Sequence, residues 1–235
     1  MGCARHFRSA GHMKRKMKMN WPKVPLKQVV TQRKEFIVVD DLQEYKRCRV
    51  QLHAQGVVLR DMITGALIKT KKQQVCRAGE FLVAEIDAKV GGYGIVPKEL
   101  DGAIVSSHYS LFTVDETRLD RRFLDYFIRT PEFYDQVNAQ GSTNYAAIRP
   151  KHVLNYVMPL PPLSEQQHIV AKIEELAAKV EEAHSLWQIS QMEVDQLLPS
   201  ALASVFQHAN VPQKPLVNGE LGSVIAGQHI SASDY

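Results

Sequence analysis

Asp87-Ala-Lys89 has the D-x-K form used by metal-dependent nucleases, and Glu85 and Asp61 are carboxylates that could complete a hydrolytic metal site. Short tripeptides of this kind also arise by chance, so a nuclease stands as one reading of the segment and not the leading one. Gly91-Gly-Tyr-Gly94 is the one glycine cluster. It precedes Ile95-Val-Pro97 instead of opening a helix, which argues for a tight turn and against a nucleotide cradle. Neither an N-P-P-[YF] run nor a glycine-rich strand-turn-helix is present, so the motifs for methyl transfer are missing. Nine histidines make no H-E-x-x-H pair, and Cys3, Cys48 and Cys76 make no C-x-x-C spacing. No metal, no cofactor and no catalytic residue is assigned.

Side chains that can read or hold nucleic acid are easier to find. Arg and Lys suit guanine and phosphate, Asn and Gln suit adenine, and Ser, Thr and Tyr serve either. Ser142, Thr143, Asn144 and Tyr145 follow Gly141, with Arg149 close behind. They form either a reading loop or a Ser/Thr- or Asx-turn leading into a linker. Lys69, Lys71 and Lys72 lie on the arm of an expected hairpin, with Lys69 and Lys71 on one face at period two, where they hold phosphates or guard an edge. Lys89 and Tyr93 flank the glycine turn. His108, in Ser106-Ser-His-Tyr109, is either a contact or a buried, satisfied histidine.

These groups need a scaffold, and the hydropathy pattern describes an α+β one. Strand-like runs occur at Phe36-Ile-Val-Val39, Gly56 to Ile63, Ala66 to Lys71, Gly79 to Ile86, Gly102 to Ser107 and Tyr109 to Val114. Thr64-Gly65 is the expected turn between the second and third of these. Leu119, Phe123, Leu124, Phe127 and Ile128 change to helical spacing, and Pro131 breaks or restarts that helix. Pro159, Pro161 and Pro162 then keep the chain extended before Ser164, which is expected to cap a long helix through a reciprocal box with Gln167.

From there Ile169, Ile173, Leu176, Val180, Ala183, Trp187, Ser190, Val194 and Leu197 recur in steps of four and three, a heptad seam. The helix is expected to reach about Phe206, with a kink at Pro199. A domain of this size cannot shield so long a seam, which calls for a second long helix.

The net charge of +4 hides a segregation. Residues 1–34 hold ten Lys/Arg and no acid, residues 35–162 hold sixteen of each sign, and residues 163–209 hold two basic against seven acidic side chains. A neutral domain binds DNA weakly by itself, because phosphate neutralisation supplies most nonspecific affinity. No run of about eighteen apolar residues or signal-peptide core is present. With cysteines read as reduced thiols, a cytoplasmic protein is expected, without membrane contact.

Gly141 to Pro150, the run Met158-Pro-Leu-Pro-Pro-Leu163 and Ser164-Glu-Gln-Gln-His-Ile-Val170 together resemble the specificity subunits of Type I restriction-modification systems. In that family a target-recognition domain ends in a P-L-P-P-L-x-E-Q opening to a long helix, and Leu160 to Gln166 matches it. Gly79-Glu-Phe-Leu82 and Gly94-Ile-Val-Pro97 also fit, so the likeness covers roughly residues 21 to 235.

The resemblance implies a basic arm or added segment at 1–20, a DNA target-recognition domain at 21–160, a spacer and dimerisation helix at 161–209, and at 210–235 a linker with the start of a second recognition domain. It implies a non-catalytic chain that reads one half of a bipartite target in double-stranded DNA, with adenine-N6 methyltransferase and restriction subunits as partners. A full subunit has two domains and two helices; this chain has one of each. A homodimer through the helix would restore the pair, with Ile169, Ile173, Leu176, Val180, Trp187, Val194 and Leu197 as packing residues. A coiled-coil assembly protein without DNA is the remaining alternative.

Overall fold

The computed structural model describes residues 21–138 and 147–208, with side chains to residue 205. The expected segments 1–20 and 210–235, and Ser142, Thr143, Asn144 and Tyr145, lie outside the described residues. Contacts divide the chain into two units, ending at and beginning after Leu176.

The first unit is α+β. A four-stranded antiparallel sheet runs in the order β2 (Val30–Arg33), β10 (Tyr109–Val114), β7 (Phe81–Ala84), β8 (Tyr93–Ile95). All four residues of β7 are buried, because the sheet is covered on both faces. Phe81 and Val83 face a core closed by helices α1 (Arg121–Phe127) and α2 (Pro131–Asn138), where Phe133 makes edge contacts with Phe81, Tyr93, Phe127 and Tyr156. Pro131 restarts the helix, as its fixed φ and missing N–H suit a first turn.

Leu82 and Ala84 point the other way, into a second core shared with a five-stranded sheet. That sheet runs β3 (Phe36–Val38), β6 (Lys72–Val75), β9 (Ile104–Val105), β4 (Glu44–Val50), β5 (Val57–Thr64). The β4–β9 pair is parallel and the others antiparallel. Cys48 and Cys76 are free thiols in this second core, 3.6 Å apart.

The two sheets are clasped at Arg33. Its guanidinium donates to both oxygens of buried Glu80 and to the Val75 carbonyl at the end of β6. Hydrogen bonding to Glu80 raises the Arg33 pKa above its ordinary value, so the guanidinium keeps its charge.

Two local expectations change. Thr64-Gly65 does not join a hairpin: β5 pairs with β4, Gly65–Leu67 is a 3-10 turn, and residues 68–71 cross the outer face of the sheet without pairing as a strand. A Cβ on Gly65 would collide with the Asp40 carbonyl, so the close approach and not a hairpin turn demands glycine there. Ser164 is not the cap either. Helix α4 (Leu163–His208) begins one residue earlier, and the Pro162 carbonyl accepts from the N–H groups of Glu165 and Gln166.

Gln166, not Gln167, then fastens the helix start. Fully buried, its Oε1 accepts from Asp120 N at 2.8 Å, and its Nε2 donates to the carbonyls of Arg118 (2.9 Å) and Pro161 (2.8 Å). Val170, one turn on, is buried in the first core, and Glu174, a further turn on, pairs with Arg122. The same side of the helix thus docks three times. Gln166→Ala would strand one buried donor and two acceptors, and we expect a loss of about 2–3 kcal/mol in chemical denaturation.

In the second unit, residues 177–208 continue α4, and Pro199 lies inside that helix. Leu176, Val180, Trp187, Val194 and Leu197 are all more than half exposed, and Leu186, Ile189, Met192, Leu198 and Leu202 are exposed with them. Ile169 and Ile173, by contrast, are partly buried. No helix among the described residues is long and apolar enough to cross a membrane.

Candidate nucleic-acid interface

Strand alternation places the candidate surface. On β4, Cys48 and Val50 enter the inner core, so Arg47 and Arg49 stand on the outer face. The β4–β5 register slips between Arg47, opposite Asp61, and Cys48, opposite Leu59, which leaves Arg60 as the extra residue of a bulge. The Lys69-Thr70 crossing and the start of β10 border the same face.

The result is a groove of about 370 Å³ whose polar lining includes Arg47, Arg60, Lys69, Thr70, Ser106 and Tyr109. An adjoining depression is lined by Arg49, Asp87 and again Arg60 and Tyr109. Arg47 is committed to Asp61 through two hydrogen bonds of 2.7 and 2.6 Å. These hold the Asp61 carboxyl below its usual pKa. The pair therefore contributes above the ordinary carboxylate pKa and is lost as pH falls through the lowered value. Arg60 is only 3.8 Å from the same carboxylate and remains over half exposed, and Arg49 and Lys69 have no partner among the described residues. Burial, followed by the nearby Asp87 charge, raises the Tyr109 phenol, keeping it a neutral donor.

The expected contacts separate into three groups. Lys69 lies in the groove, and His108 is exposed on the turn between Ser106 and Tyr109, not buried. Arg149 donates to Glu85 at 2.8 Å while its side chain stays 62% exposed. Lys71 is tied to Asp41 (2.5 Å) and the Gly65 carbonyl (2.7 Å), and Lys72 stacks 4.7 Å above the Phe36 ring. Without a hairpin arm, Lys69 and Lys71 share no strand face.

Lys89 and Tyr93 are buried, and Tyr93 is part of the aromatic core, where burial pushes its phenol up to about 12. Neither is a surface contact. The adjacent glycine turn packs on the 51–56 connection, with Ala54 N bonded to the Gly91 carbonyl. The carboxylates of the nuclease reading are likewise divided: Asp61 holds Arg47, and Glu85 holds Ser110 and Arg149. No metal-ligating group of three or more acidic, His or Cys residues occurs among the described residues.

Arg47, Arg49, Arg60 and Tyr109 were not singled out from the sequence. The signal was the basic run Lys46-Arg-Cys-Arg49, whose strand alternation puts two arginines on one side.

A β-rich domain that gathers exposed cations around a polar turn and then hands the chain to a long helix has the architecture of a recognition module. The family model for the Type I restriction modification DNA specificity domain matches residues 19–190, and the chain belongs to that family. The fold is similar to the crystal structure of the HsdS subunit from Thermoanaerobacter tengcongensis, with TM-score 0.65 and 25% identity over 86% of this chain and 54% of that one. It is also similar to a chain from a structure described as the basis of complex assembly and conformational transition of the type I R-M system, with TM-score 0.58 and 26% identity over 91% and 57%. The chain thus spans a little over half the length of these relatives. No curated protein matches it.

Proposed function

We propose that this chain reads one half of a bipartite target in double-stranded DNA and directs an adenine-N6 methyltransferase, and with it a restriction subunit, to that target. The domain of residues 21–160 does the reading, helix α4 (Leu163–His208) acts as spacer and docking rod, and no chemical step belongs to the chain itself. The observation that carries the reading is the outer face, where Arg60 and Lys69 in the groove and Arg49 in the adjoining depression are exposed, in a chain of the DNA specificity family.

A duplex laid on that face would have its phosphates held by these cations, while neutral polar groups between them face the bases. Residues 21–160 hold twenty basic against sixteen acidic side chains, a small excess for phosphate neutralisation, so tight binding belongs to the complex with methyltransferase. The exposed apolar face of α4 supports self-association: two helices from two copies would restore the domain pair that a longer subunit holds in one chain.

The experiment is fluorescence anisotropy of a labelled duplex with the reconstituted complex across a salt series. Arg49→Ala with Lys69→Ala is expected to weaken binding about tenfold and to lower the salt slope by about two, one for each phosphate contact. Unchanged affinity and slope would place the duplex on another face.

A further inference from the structure

Seven polar or charged side chains are buried among the described residues, and three of them converge on one exposed turn. Gln74 Nε2 donates to the carbonyls of Ser106 (3.2 Å) and Tyr109 (2.7 Å), gripping both ends of the turn. Ser110 Oγ donates to Glu85 Oε1 at 3.0 Å, and Arg149 donates to Glu85 Oε2. The Glu85 backbone N–H donates to the His108 carbonyl at 2.9 Å, and Tyr109 N closes the turn on the Ser106 carbonyl at 3.2 Å.

Above this scaffold Ser107 and His108 are exposed, and their side chains have no hydrogen-bond partner among the described residues. A buried polar group is costly unless it is bonded, and an apolar core would support a mere connection as well. What Gln74, Glu85 and Ser110 supply is a single backbone conformation. Directional reading of a base edge needs that rigidity. The turn also stands where reading would occur: Ser106 and Tyr109 line the groove of Arg60 and Lys69, and Tyr109 lines the adjoining depression with Arg49.

The geometry points to the 106–109 turn as the base-reading element and to Ser107 and His108 as specificity-determining residues. This rests on the DNA-recognition reading above. The Ser107 hydroxyl and the His108 ring nitrogens can hydrogen-bond to base edges in the major groove. Arg49, Arg60 and Lys69 hold the flanking phosphates and carry no sequence information.

The test is selection from a randomised double-stranded DNA library by the chain assembled with its methyltransferase, followed by sequencing of the retained duplexes. Ser107→Ala and His108→Ala are each expected to lose about tenfold of the preference at one or two base pairs while the rest of the motif stays. Their melting temperatures should match the wild type, because both side chains are exposed. Lys69→Ala should reduce retention of all sequences alike and leave the motif intact. Wild-type motifs at full strength from both turn variants would overturn the assignment. A wild-type complex that selects no motif would overturn the recognition reading and this assignment with it.

Discussion

Glu80→Ala is expected to destabilise the recognition domain by about 3–5 kcal/mol, because it strips the Arg33 guanidinium of its buried partner, leaves only the half-exposed Glu35 carboxylate at 2.7 Å, and strands further donors. The Glu80 side chain is 4% exposed and the Arg33 side chain 15%, so water replaces the lost carboxylate only in part. Glu80 also accepts from Arg77 N at 2.8 Å, and that donor is stranded as well. For a domain of this size the loss corresponds to a fall of about 10–15 °C in melting temperature, read by circular dichroism. Glu80→Gln keeps the shape and one acceptor and should lose less, about 1–3 kcal/mol. Equal and small losses from both variants would mean that packing, not the ion pair, holds Arg33 against the end of β6.

Trp187→Glu with Val194→Glu is expected to turn a dimer into a monomer. Both residues are more than half exposed on α4, and a homodimer would bury four such side chains. At about 1.5 kcal/mol each, their removal weakens association on the order of 10⁴-fold, before any repulsion between the new carboxylates. The helix segment 163–209 already carries seven acids against two basic residues, which adds to the effect. Sedimentation velocity at micromolar concentration reads the change, and the melting temperature of the recognition domain should not move. A wild-type chain that sediments as a monomer with methyltransferase present would remove the dimer.

Where folding rules are local, the sequence was readable. Proline geometry announced the restart at Pro131 and the approach to α4, and β-branched and aromatic runs announced β5 and β10. The helix cap shows how narrow that margin is: the box rule selects Ser164 and Gln167, but the helix starts one residue earlier, and Gln166 faces the loop at Arg118 and Asp120. Strand β4, Glu-Tyr-Lys-Arg-Cys-Arg-Val, was missed because its outward positions are charged and only Cys48 and Val50 report the buried side.

The site was less legible than the fold. Tyr93 and Lys89 looked like polar neighbours of a turn but are buried by elements distant in sequence. The scaffold under Ser107 and His108 joins Gln74 to Tyr109 and Glu85 to Arg149, pairs 35 and 64 residues apart that no spacing rule connects. Arg60 reaches the groove only because a bulge displaces it, and a bulge is a property of two paired strands.

Methylated adenines can be mapped in DNA modified by a methyltransferase reconstituted with this chain. A specificity chain acting as a helix-paired dimer predicts one interrupted, palindromic motif with a fixed spacer, methylated on both strands. Methylation without sequence preference, or a motif unchanged when this chain is omitted, would contradict it.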